Sequence, residues 1–310
     1  MKDNKNKVLI ITGPTAVGKT EISIRVAQEL DGEIICMDSR QIYKNLKIGT
    51  SFPDEQTLKL VKHHLFGFVE LDEHFTAYDY KLAAEKTIEE VLNNNKFPIL
   101  VGGTGLYIDA LQKGFLNVES DHGVRTYLRK LENENPGILR KMLTDIDPES
   151  ALRIHPNDVK RTIRALEVYI VTGKRMGELI KFQGPEQPKF NYEIVVLDRD
   201  RKELHERINQ RTEKMLKEGL IEEVNNILSL GFSKNLNSLN TIGYKEVIKY
   251  LEGEIEYDTM VHKMKVNTRN YARRQIIYFR RFENSLWLNL SELSEEDAIR
   301  KIILKIKQQN

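Results

Sequence analysis

Several residue types are scarce in this chain, and each scarcity narrows what it can be. Its 310 residues hold one cysteine, Cys36, and one tryptophan. A single cysteine excludes an internal disulfide and any zinc site built from cysteines. No stretch approaches the roughly 20 consecutive apolar residues of a membrane-spanning helix. The opening MKDNKNKVLIITG has too short an apolar stretch for a secretory signal, so a cytoplasmic enzyme without a membrane partner is expected. An excess of one charge is also missing: 48 basic against 46 acidic residues leave a formal net charge of +2. That figure alone points to no nucleic-acid partner. Charged residues at 30% and hydrophobic ones at 40% suit a packed soluble protein. The length allows one large core with a smaller appended unit.

The local pattern is that of an α/β protein. Val8–Thr12 is a short β-branched run that reads as a buried strand, and Lys19–Leu30 reads as a helix with Ile22, Val26 and Leu30 on one face. Gly32 stops that helix and Glu33–Met37 is the next strand, giving a βαβ unit of a parallel sheet. The TAYD of residues 76–79 resembles a capping box opening a helix to about Asn93, and further strands are expected at Ile99–Val101 and Glu193–Leu197. Between about 115 and 190 no strand is evident, and amphipathic helices are expected near 123–134, 136–145, 148–154 and 158–172. Beyond 200 the chain reads as mostly helical, with Gly219, Gly231, Gly243 and Gly253 as breaks. The organisation expected is a core domain of residues 1–115 and 190–310 with a helical insertion domain at 116–189.

Gly13-Pro14-Thr15-Ala16-Val17-Gly18-Lys19-Thr20 fits the phosphate-cradling loop G-x-x-x-x-G-K-[ST] at every fixed position, between a strand and a helix. The fold class expected is therefore a P-loop NTPase-like parallel sheet with a helical insertion and a helical C-terminal part. Backbone N–H groups of such a loop surround phosphate oxygens, its lysine adds a point charge, and its threonine hydroxyl can hold Mg²⁺. The loop recognises a pyrophosphate whatever is attached to it. A conventional P-loop ATPase also carries an acid at a strand end. Ile99–Val101 ends instead in Gly-Gly-Thr-Gly. The acid that does follow a strand is Asp38, readable as a general base or metal-shell ligand, or as a cap on the following turn.

Val261–Phe282 holds Lys263, Lys265, Arg269, Arg273, Arg274, Arg280 and Arg281 with no acidic residue, interleaved with Tyr271, Tyr278 and Phe279. Such a helix suits a nucleic-acid backbone and unstacked bases, or is simply a solvated face. Arg207 and Arg211, four apart on the helix Arg201–Glu218, either clamp a pyrophosphate or pair with surface glutamates. Arg161 and Arg164 share a helical face in the insertion. His63 and His64 lack partners at metal spacing and read as structural.

Taken in order, GPTAVGKT, MDSRQIYKNLKIGT, VGGTGLY, RIHPNDVKRTIRALEVY, LHERINQRTEKMLKEGLIEEV and GYKEVIKYLEGEI resemble the tRNA dimethylallyltransferases (tRNA isopentenyltransferases) in their bacterial form, along essentially the whole chain. The resemblance implies transfer of a dimethylallyl group from dimethylallyl diphosphate to the exocyclic N6 amine of the adenosine immediately 3′ of the anticodon. The tRNAs concerned read codons that begin with U, and pyrophosphate is released without need of ATP. It further implies that Asp38 is the base, that Thr20 holds Mg²⁺ or phosphate, and that Arg211 neutralises the leaving pyrophosphate, with Gly13–Thr20 as its seat. Asp38, Ser39, Arg40, Gln41, Thr104, Arg125, Thr162, Ile163, Arg164, Ala165 and Leu166 match tRNA-contacting positions. Arg161, on the face of Arg164, and Arg273 and Arg274 of the basic helix join them as candidates. The partners implied are a tRNA anticodon stem-loop and dimethylallyl diphosphate; a monomer is expected because no oligomer-forming pattern stands out in the sequence. The competing readings are a P-loop small-molecule kinase and a non-catalytic RNA-binding P-loop protein.

Overall fold

The computed structural model describes residues 6–114, 118–183 and 187–308. In chain order its elements are β1 (Lys7–Thr12), α1 (Lys19–Glu29), β2 (Gly32–Cys36), α2 (Glu55–Leu60), β3 (His63–His64), α3 (Ala77–Asn93), β4 (Phe97–Val101) and α4 (Gly105–Lys113). There follow α5 (His122–Glu134), α6 (Ile138–Ile146), α7 (Pro148–Arg153), α8 (Val159–Thr172) and α9 (Met176–Gln183). The chain then runs through β5 (Asn191–Asp198), α10 (Arg201–Lys217), α11 (Leu220–Ser229), α12 (Tyr244–Leu251), α13 (Tyr257–Phe279), β6 (Leu286–Asn289) and α14 (Glu295–Lys307). Residues 1–111 and 189–310 form one compact unit and residues 112–188 a second.

The first unit is built on a six-stranded sheet in the order β3-β2-β4-β1-β5-β6, every pairing parallel. Parallel strands are covered on both faces and therefore read as continuous apolar runs. All six residues of β1 are buried. Successive side chains go to opposite faces: Leu9 and Ile11 pack with Ile22 and Val26 of α1 and Ile302 of α14, whereas Val8 and Ile10 pack with Tyr80 and Ile88 of α3 and Ile108 of α4. The Thr76 capping box is present: its hydroxyl accepts from the Asp79 N–H at 3.2 Å, while the Asp79 carboxylate accepts from the Thr76 N–H at 2.8 Å. Two strands went unanticipated. The two-residue β3 and four-residue β6 form the sheet edges, so the chain beyond 200 is not helical throughout. His64 is held there by Glu33, Nε2 to Oε2 at 2.6 Å, in keeping with a structural role.

Among the described residues the second unit holds α5 to α9, around Leu128, Leu139, Leu143, Ile163, Ala165 and Leu166. No helix among the described residues is long and apolar enough to cross a membrane.

Candidate active site

In a parallel sheet the carboxyl ends of the strands leave one rim open for a ligand. On this rim lies a cleft of about 850 Å³ lined by the P-loop from Thr15 to Thr20, by Asp38 and Gln41 after β2, by Arg211 of α10, and by Tyr271 and Gln275 of α13. The P-loop leaves β1 through Gly13, at φ 148°, where a Cβ would collide with the Leu197 carbonyl oxygen of β5. The first N–H groups of α1 have no intrahelical acceptor and, with the helix dipole, favour an anion.

Three arginines brace this loop. Arg199 Nε donates to the Val17 carbonyl at 2.9 Å, Arg207 Nε to the Ala16 carbonyl at 2.8 Å, and Arg211 donates to Thr15 Oγ1 at 3.1 Å. Of the two arginines expected as a clamp, Arg207 thus spends its Nε on the loop itself. Lys19 Nζ donates to the carbonyls of Gly13 (3.0 Å) and Pro14 (2.9 Å). Its tip reaches the cleft, yet burial pulls its ammonium down to about 8; the Asp38 carboxylate opposes the fall and the Arg211 guanidinium adds to it. Burial likewise lowers Arg211, with Asp38 and Glu21 acting against it.

Thr15, expected to offer its N–H to phosphate, donates it instead to Gln275 Oε1 at 2.9 Å. Gln275 Nε2 in turn donates to the Gly103 carbonyl at 2.8 Å, so one buried amide on α13 ties the P-loop to the loop after β4. Nothing in its sequence neighbourhood sets this glutamine apart from the basic run around it. Its partner Thr15 lies 260 positions away.

Asp38 is half-buried. Its Oδ1 accepts from the N–H of Arg40 (2.8 Å) and of Gln41 (3.4 Å), which is the turn cap. Oδ2 makes no hydrogen bond among the described residues, leaving one carboxylate oxygen for the cleft. Ser39 N–H donates to Thr104 Oγ1 at 2.9 Å, fixing the loops after β2 and β4 to each other. Arg40 donates to the Asn237 carbonyl at 2.8 Å, and Gln41 Nε2 donates to the carbonyls of Thr50 (3.1 Å) and Ser51 (2.9 Å). Tyr271 stands beside this carboxylate; burial first, then Asp38, pushes its phenol well up, so it stays neutral.

The basic helix divides into two groups. Lys265 pairs with Glu213 at 2.7 Å, Arg281 with Asp109 at 3.6 Å, and Arg269 donates to Asn209 Oδ1 at 2.8 Å. Lys263, Arg273, Arg274 and Arg280 are exposed and have no ion pair among the described residues. The aromatics do not form the base-stacking platform the sequence suggested. Phe279 is fully buried in the core, Tyr278 donates its hydroxyl to Asp109, and Tyr271 faces the cleft.

In the helical unit the expected tRNA segment is mostly interior. Thr162, Ile163, Ala165 and Leu166 are buried, because their spacing puts them on the apolar face of α8, and this leaves Arg161 and Arg164 as the side chains that can reach a ligand. Arg125 and Arg164 converge on Glu167, whose side chain is wholly buried: Arg125 Nε meets Oε1 at 2.8 Å and Arg164 meets Oε2 at 2.7 Å. Burial raises the Glu167 carboxyl, but the bonds from Arg125, Arg164 and the Asp121 N–H outweigh it and hold the group below its ordinary value.

A family model described as IPP transferase matches residues 41–282. The chain belongs to that family. The match starts beyond both the P-loop and Asp38, so the generic phosphate loop does not carry it. Among relatives of the IPP transferase chain, a tRNA dimethylallyltransferase of Petrotoga mobilis is 64% identical over 298 residues, covering 96% of this chain and 98% of the relative. One from Thermotoga maritima is 51% identical over 303 residues, covering 96% and 98%. The crystal structure of the full-length tRNA isopentenylpyrophosphate transferase of Bacillus halodurans gives a TM-score of 0.73 at 34% identity, covering 98% of this chain and 96% of that one. A eukaryotic dimethylallyltransferase captured acting on tRNA gives 0.80 at 28% identity, covering 97% and 78%.

Proposed function

We propose that this chain transfers a dimethylallyl group from dimethylallyl diphosphate to the exocyclic N6 amine of the adenosine immediately 3′ of the anticodon, in tRNAs reading codons that begin with U. The C1–O bond of the allylic diphosphate breaks as the N6–C1 bond forms. The N6 proton passes to Asp38 Oδ2, and the electrons of the broken bond leave with pyrophosphate. One observation carries this reading: a desolvated P-loop lysine and a carboxylate with one uncommitted oxygen line the same cleft, beyond the carboxyl ends of β1 and β2, the two parallel strands that flank β4. Lys19, Arg211 and the first N–H groups of α1 take up the charge that develops on the leaving group. Asp38 takes the proton.

Thr20 lies at the first turn of α1, exposed, with no hydrogen bond to its hydroxyl among the described residues. A hard oxygen donor beside a diphosphate suits Mg²⁺, which keeps most of its waters and shares phosphate oxygens. Thr20 would hold the ion, which when bound supplies further neutralisation of the diphosphate. A monomer as the working unit is part of the same proposal.

The test is purified protein with unmodified tRNA, Mg²⁺ and labelled dimethylallyl diphosphate, without ATP. Label is expected in the tRNA. Its absence, with a tRNA carrying adenosine beside the anticodon, would overturn the proposal, and transfer without ATP separates it from a small-molecule kinase. For the RNA side, neutralising Arg273 and Arg274 together is expected to reduce the slope of log affinity against log salt by roughly 1 to 2. An unchanged slope returns α13 to the status of a solvated face.

A further inference from the structure

The turn at residues 46–51 contributes Lys47, Ile48, Thr50 and Ser51 to the lining of the cleft, and it is anchored by residues that do not line it. Lys47, Ile48 and Gly49 direct three successive backbone N–H groups at one carboxylate, Glu223 of α11, at 3.1, 2.9 and 3.4 Å. The same carboxylate accepts the Tyr244 hydroxyl at 2.6 Å. Tyr244, from the Gly243-Tyr244 segment at the start of α12, is fully buried, and its ring occupies the place a Cβ on Gly49 would need. Burial first, then the Glu223 carboxylate, pushes the phenol well up, so it remains a proton donor.

Two polar groups of the cleft rest on this turn. Gln41 Nε2 donates to the carbonyls of Thr50 and Ser51, and Arg211 donates to the Thr50 carbonyl at 3.3 Å as well as to Thr15 Oγ1. Arg211 is therefore held between the P-loop and Thr50, and Thr50 follows directly on the three amides that Glu223 gathers. We infer that Glu223 is a positioning residue: it fixes the turn that aims Arg211 at the leaving pyrophosphate. It touches no reacting atom. The charge matters as well as the shape. A carboxylate offers about four lone-pair sites to its three N–H donors and one O–H donor, whereas an isosteric amide would turn an NH₂ group toward them. The turnover arm of the inference rests on the transferase reading; the pyrophosphate-binding arm does not.

The experiment compares Glu223→Gln and Tyr244→Phe in the full chain, alone and in an Arg211→Ala background. Pyrophosphate affinity is measured by calorimetry with Mg²⁺, and prenyl transfer by steady-state kinetics. Glu223→Gln is expected to weaken pyrophosphate about tenfold and to lower kcat by a similar factor, with the KM for tRNA unchanged within about twofold. Tyr244→Phe, which keeps the ring under Gly49, is expected to show a smaller loss in the same direction. In the Arg211→Ala background either change should add less than about threefold, since residues acting through one group are non-additive. A merely structural role would lower stability without this split. Unchanged pyrophosphate affinity in folded Glu223→Gln, or an equal loss in both backgrounds, overturns the inference. If Glu223→Gln does not fold, Tyr244→Phe decides by the same comparison. A wild-type protein that binds pyrophosphate but transfers no prenyl group counts against the transferase reading alone.

Discussion

Replacing Asp38 by asparagine is expected to lower kcat by about 10²–10⁴-fold while tRNA affinity stays near wild type. The carboxylate has two jobs on two oxygens. Oδ1 caps the turn through the N–H groups of Arg40 and Gln41, and Oδ2 makes no bond among the described residues. Asparagine keeps an acceptor for the cap and loses the base; alanine loses both. The two variants should therefore be almost equally slow, with alanine less stable than asparagine by about 1 kcal/mol. A variant at this position that turns over normally rules out Asp38 as the base. If alanine is slow while asparagine is fast, the residue is a cap and nothing more. Asp38 also raises the proton affinity of Lys19, so in Asp38→Asn the lysine should titrate at lower pH than in the wild type. That shift is measurable through pyrophosphate binding even when turnover is too slow to follow.

What could be read in advance depended on whether the signal was local. The P-loop, β1, α1, β4 and the Thr76 cap all advertise themselves within about ten residues, through an apolar run, a glycine pattern or a capping side chain. The edge strands β3 and β6 do not, because two and four residues are too few to show a period. Asp38 was legible as an acid after a strand, and the family match followed from motifs spread along the chain. Gln275 and Glu223 were not legible. Each acts by hydrogen bonds to backbone groups more than 170 positions away, and its own neighbourhood shows only an ordinary helix. The burial of most of Thr162–Leu166 was hidden for a different reason. Resemblance marks a segment as contacting tRNA without saying which side chains face outward, and the 3.6-residue period of α8 turns Ile163 and Leu166 into its core. Glu167 shows the limit of charge as a guide. It looks like part of a polar face, yet it is buried beneath Arg125 and Arg164.

Lys19→Ala is expected to lower kcat/KM for dimethylallyl diphosphate by about 10²–10³-fold, the usual cost of removing a group aimed at charge developing in the transition state. The wild type carries a sharper signature in its pH dependence. Burial brings the Lys19 ammonium from the ordinary 10.5 down to about 8 in the free protein. A bound diphosphate favours the charged form and raises that value again. Affinity for pyrophosphate should therefore be flat with respect to this group below pH 8 and fall about tenfold per unit above it, with uptake of one proton on binding in the alkaline range. Calorimetry in buffers of different ionisation enthalpy reads that proton directly. Stability should move the other way. Between pH 8 and 10.5 the unfolded chain holds the lysine proton and the folded chain has released it, so the Lys19 contribution to stability rises with pH across the window in which affinity falls. In Lys19→Ala both slopes lose this component. A proton uptake that survives the substitution assigns the titration to another group, and an affinity that does not fall above pH 8 in the wild type removes Lys19 from the diphosphate seat.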